Sequence, residues 1–262
     1  MTGKHKRIFD LVYMAIIFTA GFIFLIIRSK EIKEKKDEPE IPIGYEEYET
    51  VEYDPESMGA VKVGDHILFG SYEQDNNTEN GAEKIEWIVL DKQEDKMLVL
   101  SRFVLDCQPF HTSYTGVTWE TCSLRSWLKY DFYLAAFTEE EGDMILTTPV
   151  VVDKAKYPQN SQEVENPPES IDDKLFLLSE TEANNYFISK EDRICYGTED
   201  CFAQGIYMDS KGVCRWLLRS PGSYYNTVIH VDYNGFVNYL GEIVSRKNEN
   251  GVRPAMWLKL EP

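Results

Sequence analysis

The C-terminal part of the chain contains two β-rich runs joined by a dipeptide that favours a tight turn. The runs are Thr227–Tyr233 and Phe236–Leu240, and Asn234-Gly235 lies between them. Val, Ile, Tyr and Phe are enriched in strands, and Asn-Gly is typical of a type I′ hairpin. Further apolar runs flank this hairpin, at Cys214–Gly222 and Val252–Leu260. The segment therefore predicts three or four antiparallel strands, around which the rest of the chain must pack.

A long apolar run lies near the N-terminus. It extends from Ile8 to Ile27, and Asp10 is its only charged residue. At about 1.5 Å of rise per residue, a helix of this length spans roughly the 30 Å hydrocarbon core of a bilayer. A cleavable signal peptide is the alternative, but no small-residue cleavage site follows the run. Residues 1–30 are therefore predicted to form an N-terminal tail and a transmembrane signal anchor.

The charges that flank this predicted helix leave its orientation open. Three Lys or Arg residues precede it and five follow it. By the positive-inside rule, this distribution places the body, which follows the helix, in the cytoplasm. A very short N-terminal tail and the absence of any other export signal favour the opposite orientation. We expect a single-pass protein of the cell membrane, with the lipid bilayer as a partner and the body outside the cytoplasm.

Composition divides the remaining chain into two parts. Residues 31–60 are rich in Glu and Lys and are interrupted by proline, a composition that does not pack as an independent unit. They are predicted to form an acidic flexible stalk. The body is predicted to be one domain over residues 61–262, because 43% hydrophobic and 13% aromatic residues are ample for a packed core.

Several local patterns predict secondary structure within this body. Ile85–Leu90 and Met97–Val104 are apolar β-rich runs that predict an antiparallel hairpin. Cys122–Phe132 places its large apolar residues at helical spacing, which predicts a helix lying on the core. Capping boxes at Thr138–Glu141 and Ser179–Glu182 predict the starts of two short helices. Helices are therefore expected to be few and short.

The charge distribution excludes one class of partner and leaves another open. Residues 38–262 carry 19 Lys or Arg against 41 Asp or Glu, and such a body repels phosphate backbones, so we predict no nucleic-acid partner. Asp75–Gly81 is rich in side-chain oxygens, as calcium loops are. Its glycine is seventh, whereas the EF-hand requires it sixth, so a polar hairpin loop is the simpler interpretation. We predict no cofactor.

Residues of the usual catalytic types form no recognisable constellation. None of the five cysteines belongs to a C-x-x-C pair, which makes thiolate metal sites improbable. The four histidines share no motif with serine, cysteine or paired acids. Outside the cytoplasm one or two disulfides are expected, and inside it all five cysteines are expected to be buried thiols.

A set of motifs is spread over the whole predicted body. It comprises Phe69–Gln74, Ile85–Trp87, Asp106–Phe110, Thr118–Leu128, W-L-L-R-S-P-G at Trp216–Gly222 and V-R-P-A-M-W-L at Val252–Leu258. Together these motifs resemble an uncharacterised bacterial domain family related to the C-type-lectin-like and formylglycine-generating-enzyme fold. The resemblance implies an α+β, C-type-lectin-like fold of antiparallel β-sheets with a few short helices, here preceded by the transmembrane helix. It also favours display outside the cell.

The resemblance has further implications for particular residues. It places Cys195 and Cys214 at the two ends of one loop, which makes them candidates for a disulfide. Formylglycine-generating enzymes use a cysteine pair near the C-terminus, but no cysteine follows Cys214 here. Members of the family show several tryptophans where Arg215–Leu218 stands, so this chain has less aromatic surface there. In this type of fold, Arg219 and Arg253 are implied to pair with buried acids.

The C-terminal strands also supply candidate binding residues. If side chains alternate along the hairpin, Val228, His230 and Asp232 share a face, which we predict to point outward beside the loop Pro221–Tyr225. The candidate ligand-binding residues are Trp216, Arg219, Tyr224, Tyr225, His230 and Tyr239. We predict a membrane-anchored, extracytoplasmic, lectin-like module that binds a glycan, peptide or protein and performs no chemistry. The alternatives are an enzyme of the formylglycine-generating superfamily and a structural component of the cell envelope.

Overall fold

A computed structural model describes residues 47–153 and 168–261 of the chain, which belong to a compact unit that begins at Glu46. The strands are β1 (Thr50–Glu52), β2 (His66–Tyr72), β3 (Glu83–Lys92), β4 (Lys96–Ser101), β5 (Thr148–Val151), β6 (Ser170–Asp173), β7 (Leu175–Phe176), β8 (Cys195–Tyr196), β9 (Val213–Cys214), β10 (Trp216–Pro221), β11 (Thr227–Val231), β12 (Val237–Ile243) and β13 (Ala255–Lys259). The helices are α1 (Ser123–Trp127), α2 (Tyr133–Ala136), α3 (Glu139–Met144), α4 (Glu180–Tyr186) and α5 (Glu199–Ala203). Leu128–Phe132 forms a π-helical turn, and Met58–Ala60 and Glu191–Arg193 form 3-10 turns.

The largest sheet has six strands in the order β1-β2-β3-β4-β13-β7. The hairpin predicted from the two apolar runs is present as β3 and β4, which pair antiparallel. Strand β13 inserts between β4 and β7 and is antiparallel to both. Every residue of β4 except Lys96 is buried, because β4 lies inside the sheet and is packed on both faces.

The C-terminal strands form a separate three-stranded sheet in the order β10-β11-β12. Two further sheets, β5-β6 and β8-β9, have two strands each, and both come before this sheet in the sequence. An isolated parallel bridge between Trp216 and Gly251 ties β10 to the segment that leads into β13. All five residues of β11 are buried, so its polar side chains are enclosed as well as its apolar ones.

The predicted hairpin joins β11 to β12, but its turn is not type I′. The N–H of Gly235 donates to the carbonyl of Asp232 over 2.9 Å, which defines a turn of four residues. Gly235 has a φ of +76°, whereas Asn234 does not have positive φ, and a type I′ turn requires it at both central residues. The Asp232 carboxylate accepts the N–H groups of Asn234 and Phe236. This side-chain bonding favours a type I turn followed by a left-handed glycine.

The predicted helices are confirmed, with one addition. Helix α1 continues through the π-helical turn into α2. Three residues of the predicted apolar stripe, Leu124, Leu128 and Phe132, are buried, and the fourth, Trp127, is partly buried. Both capping boxes are formed, with Thr138 opening α3 and Ser179 opening α4. The spacing of apolar residues could not reveal the π-helical turn, since residues four apart lie on the same side of an α-helix and of a π-helical turn.

The predicted fold class is wrong in two respects. The main sheet is not wholly antiparallel, since β1 runs parallel to β2. Nor does any helix in the described ranges have the length and apolar character needed to cross a membrane, although the prediction placed such a helix ahead of the domain. The predicted span, Ile8 to Ile27, lies outside the described residues. The structure gives a body that is mostly β-sheet with a few short helices.

Part of the segment predicted to be a stalk belongs to the folded body. Strand β1 joins the main sheet, and Met58 is completely buried. Tyr53 donates its hydroxyl to the carbonyl of Lys259 in the last strand. An acidic, proline-interrupted segment is ordered here because the edge of β2 supplies partners for its backbone. The remainder of the predicted stalk, residues 31–46, lies outside the described residues.

Candidate functional site

The structure separates the six predicted binding residues into two groups. Trp216, Arg219 and His230 are each no more than 2% exposed. The tyrosines Tyr224, Tyr225 and Tyr239 are between 40% and 54% exposed and remain on the surface. The first group cannot contact a ligand at the surface, and only the second group keeps the role that the sequence predicted.

Trp216 belongs to the core beneath β10. Its indole N–H donates to the carbonyl of Arg193 over 2.9 Å, and its ring lies edge-on to Phe187. The guanidinium of Arg253 stacks 4.9 Å from the Trp216 ring centroid. A buried tryptophan needs a partner for its N–H, and this one has it within the protein. Trp216 therefore fastens the three-stranded sheet to its neighbours.

Arg219 is buried and forms an ion pair with an acid that is partly exposed. Its guanidinium contacts both carboxylate oxygens of Glu182 in α4, one of them at 2.8 Å. It also donates to the carbonyls of Leu177 (2.7 Å) and Val151 (3.1 Å). The pairing with an acid that the resemblance implied is thus present for Arg219. It is absent for Arg253, which pairs with no carboxylate in the described part of the chain.

His230 is an uncharged, unbonded imidazole in the middle strand β11. Neither of its ring nitrogens has a hydrogen-bond partner among the described residues. Burial, followed by the positive charge of Arg215, lowers the pKa of His230 to about 4, while Glu242 and Asp232 act in the opposite direction. The imidazole is therefore neutral at physiological pH and lies inside the sheet, where it contributes no charge to a surface site.

Strand β12 bulges away from its neighbour. Between two successive register positions it has three residues where β11 has one. Asn238 closes this bulge, since its side-chain oxygen accepts the N–H groups of Leu240 (3.1 Å) and Gly241 (3.3 Å). Gly241 has a φ of +78°, and a Cβ there would lie 2.7 Å from the carbonyl oxygen of Val228. The bulge turns Tyr239 and Leu240 toward solvent, as bulges beside functional sites often do.

The turn between β10 and β11 is fixed against this bulge. Ser223 donates its N–H to the carbonyl of Leu240 (3.3 Å) and its hydroxyl to the carbonyl of Tyr239 (2.7 Å). The hydroxyl oxygen of Thr227 accepts the N–H of Tyr224 over 3.1 Å and lies 3.1 Å from the carbonyl of Leu240. Backbone and side-chain bonds thus hold the two exposed segments together.

We call the surface formed by Tyr224, Tyr225, Tyr239 and Leu240 the tyrosine ridge. These side chains are 54%, 42%, 40% and 64% exposed. Tyrosine offers an apolar ring face and a hydroxyl with only two rotatable bonds, so it binds with little loss of conformational entropy. The ridge supplies stacking surface and hydrogen bonds, and within it there is no acid, imidazole or thiol for a reaction. Leu240 is the member that sequence reasoning missed.

A family model for a domain of unknown function, DUF6273, matches residues 94–260. The chain belongs to this family. The predicted membership in a domain family of unknown function is thereby confirmed, and the matched range contains the whole tyrosine ridge. No curated protein and no solved structure matches the chain. The predicted relation to C-type lectins and formylglycine-generating enzymes is therefore not confirmed.

All five cysteines of this DUF6273 chain are buried and free. Cys195 and Cys214, the candidates for a disulfide, are direct register partners in the β8-β9 ladder. They are nevertheless free thiols, and Cys195 lies 3.3 Å from the carbonyl of Arg102, which accepts from it. The two residues are therefore neighbours in the structure, and no bond joins their sulfur atoms. A nearby carbonyl acceptor satisfies the Cys195 thiol without a bond between the sulfurs.

Burial makes these thiols unreactive. It raises the pKa of Cys107 to about 11 and that of Cys122 to about 12. It also raises the pKa values of Cys195, Cys201 and Cys214. Since the thiolate is the nucleophile and the metal ligand, a thiol that stays protonated at neutral pH does not support oxidation chemistry of the formylglycine-generating kind.

We expect all five thiols to resist the thiol reagent DTNB in the folded chain and to react after denaturation in guanidinium. For Cys107, a rise in pKa from 9.0 to about 11 lowers the thiolate fraction roughly a hundredfold, before burial slows access further. Ser57→Cys, an exposed position, provides a control thiol that should react at once. Rapid native labelling of the unmodified chain would contradict the expectation. Fewer than five reactive thiols after denaturation would indicate a disulfide.

One group of carboxylates has the spacing of a cation site. Single oxygens of Glu73, Asp75 and Glu83 lie within 4.8 Å of one another, and no other trio of His, Cys, Asp or Glu in the described ranges does so. The backbone N–H of Gln74 and the side-chain amide of Asn80 already donate to these carboxylates, over 2.7 Å each. The loop is therefore held by its own hydrogen bonds and does not require a cation.

His66, Glu86 and Arg102 form a second polar cluster. The sequence did not predict it because its members come from three separate segments. The imidazole Nδ1 of His66 lies 2.5 Å from the carboxylate of Glu86, which also accepts twice from Arg102. Burial opposes ionisation of Glu86, but the bonds from His66 and Arg102 outweigh it and lower the pKa of Glu86. The Tyr48 ring stacks 4.1 Å from the His66 ring. These contacts attach the start of the folded body to the main sheet.

Proposed function

We propose that this domain is a non-catalytic binding module whose ligand, a glycan or a peptide, contacts the tyrosine ridge. The observation that carries the proposal is the fixed exposure of three tyrosines and a leucine on two segments joined by hydrogen bonds. Exposed aromatic groups of this kind mark interaction surfaces. Because the backbone beneath them is already held in place, little ordering entropy is lost on binding.

The placement of reactive groups supports binding rather than catalysis. The thiols are buried with raised pKa values, and His230 is enclosed in the sheet. The net charge of −18 disfavours polyanionic ligands, which leaves neutral glycans and neutral or basic peptides. The location of the body outside the cytoplasm stays a prediction from the sequence.

The test is a glycan, peptidoglycan-fragment and peptide array probed with the purified full chain and with Tyr224→Ala and Tyr225→Ala. An aromatic anchor commonly contributes about 2 kcal/mol, or roughly thirtyfold in affinity. We therefore expect each substitution to abolish retention of the ligand on the array while leaving the melting temperature nearly unchanged, because neither ring is in the core. The matched control is Tyr130→Ala, since Tyr130 is 57% exposed on the π-helical turn.

Two outcomes would count against the proposal. If Tyr224→Ala and Tyr225→Ala lower the melting temperature by several degrees without changing ligand retention, the tyrosines are structural and the binding surface lies elsewhere. If Tyr130→Ala weakens retention as much as they do, the contact is a non-specific one made by any exposed tyrosine. Absence of any ligand across the array would favour the alternative of a structural component.

A further inference from the structure

A cavity of about 420 Å³ lies away from the tyrosine ridge in sequence and in lining. It is formed where the π-helical turn and α2 meet the connection between β6 and β7. Its lining residues are Lys129, Tyr133, Thr147, Asp172, Asp173, Lys174 and Leu175. The volume is within the range of small-molecule sites, which run from roughly 300 to 1,000 Å³.

The two lysines of this cavity form no ion pair with the two carboxylates of its lining. Lys174 donates to two neutral acceptors, the carbonyl of Gly142 (2.6 Å) and the hydroxyl of Tyr133 (3.1 Å). Within the described ranges no carboxylate lies at ion-pair distance from Lys174 or Lys129. An ammonium has three donors, so one N–H of Lys174 is still available.

The acidic residue nearest to Lys174 in sequence does not neutralise it. Asp173 is 5% exposed and accepts from the guanidinium of Arg125 (2.8 Å) and the indole N–H of Trp119 (2.9 Å). Asp173 is also part of the cavity lining, but its carboxylate is already bonded to Arg125 and Trp119 and forms no ion pair with Lys174 or Lys129. Asp172, in contrast, is an exposed carboxylate on the lining, where it can accept from the donor group of a ligand.

The wall of the cavity also has unusual backbone geometry. Lys129 lies within the π-helical turn, and Tyr133 follows it directly. Leu128 and Phe132 of the same turn are buried in the core. The turn therefore directs its polar residues and its core residues in different directions. Single π-helical turns of this kind occur frequently at functional sites, where they position a side chain that a regular helix would not.

We propose that this cavity binds a small organic anion, a carboxylate or a phosphate ester, that also carries a hydroxyl or ammonium group. Lys174 and Lys129 neutralise the anionic group, and Asp172 accepts a hydrogen bond from the donor group. Thr147 and Tyr133 supply further hydrogen-bonding groups on the lining, and Leu175 supplies apolar contact. The site is distinct from the tyrosine ridge and does not depend on the function proposed for it.

The test uses saturation-transfer NMR and calorimetry on the purified full chain with serine, lactate, O-phosphoserine and glycerol 3-phosphate, and with glycerol as the uncharged control. We expect at least one anion to bind with a Kd of about 1 mM or tighter, and glycerol not to bind. Comparison of lactate, which has only a carboxylate, with glycerol 3-phosphate, which has only a phosphate ester, identifies the anionic group. Failure of all four anions to bind would overturn the proposal.

Variants locate the binding. Lys129→Gln, at an exposed position, should weaken binding roughly tenfold without changing the melting temperature. Lys174→Met should weaken it more, by roughly a hundredfold, because a charge-assisted hydrogen bond is lost. Lys174 also bonds to Gly142, so Lys129→Gln keeps the test decisive if Lys174→Met does not fold. Lys211→Gln, an exposed lysine with the same change of charge, is the control, and equal weakening by it would overturn the proposal.

Discussion

Replacing Arg219 by alanine should lower the free energy of unfolding by about 3 kcal/mol and the melting temperature by roughly 10 °C. The Arg219 side chain is 1% exposed, whereas that of Glu182 is 30% exposed. The substitution leaves the carboxylate partly solvated and also strips a donor from the carbonyls of Leu177 and Val151. The loss is expected at the lower end of the range for broken buried ion pairs because water can reach Glu182.

Denaturant unfolding followed by tryptophan fluorescence gives the free energy directly. Arg246→Ala is the matched control, because Arg246 is 53% exposed and pairs with Glu242 at the surface over 3.5 Å. Such surface pairs contribute less than about 1 kcal/mol. A double-mutant cycle with Glu182→Gln separates the ion pair from the bonds to the carbonyls. A change below 1 kcal/mol for Arg219→Ala would show that the buried guanidinium does not support the fold.

Stability should fall by about 3 kcal/mol between pH 6.5 and pH 4 because of His230 alone. The pKa of His230 is lowered from 6.5 to about 4 in the folded chain, first by burial and then by Arg215. Across that window the unfolded chain binds a proton that the folded chain excludes, so unfolding becomes more favourable as the pH falls. Each unit of difference in pKa corresponds to about 1.4 kcal/mol. Above about pH 7.5 the contribution is nearly constant, because His230 is then neutral in both states.

His230→Phe tests this expectation because it keeps a ring in the sheet and removes the titrating group. Unfolding free energies of the original chain and the variant are measured from pH 8 to pH 4. The difference between them should shift in favour of the variant by about 3 kcal/mol as the pH falls from 6.5 to 4. Two parallel curves would mean that His230 is protonated equally in the folded and unfolded chain, against the burial that the structure shows.

Secondary structure was predictable where it depends on interactions between residues close together in the sequence. The capping boxes at Thr138 and Ser179 each satisfy a helix start from within four residues, so no distant contact can override them. The β3-β4 hairpin likewise joins neighbours in sequence. The parallel pairing of β1 with β2 is different, because composition alone made that segment look like a solvated spacer.

The prediction of the candidate site was wrong where it used the alternation of side chains along β11 to choose the exposed face. Strand β11 lies between β10 and β12 and is covered on both faces, so His230 is enclosed as fully as Ile229. Alternation identifies which residues share a face, but it cannot say whether a second layer covers the polar face. Alternation also did not predict that two successive residues, Tyr239 and Leu240, are both exposed. The sequence predicts a continuous strand there, and the bulge closed by Asn238 brings both side chains to the surface.

The position of β13 determines when the domain can fold. This strand is the last of the described elements to be synthesised, yet it lies inside the main sheet, paired with β4 on one side and β7 on the other. Until the ribosome releases it, β4 and β7 expose unpaired backbone edges that can pair with other chains. The main sheet can therefore be completed only after β13 has left the ribosome. Removal of Ala255–Lys259 should yield an aggregating product rather than a smaller domain.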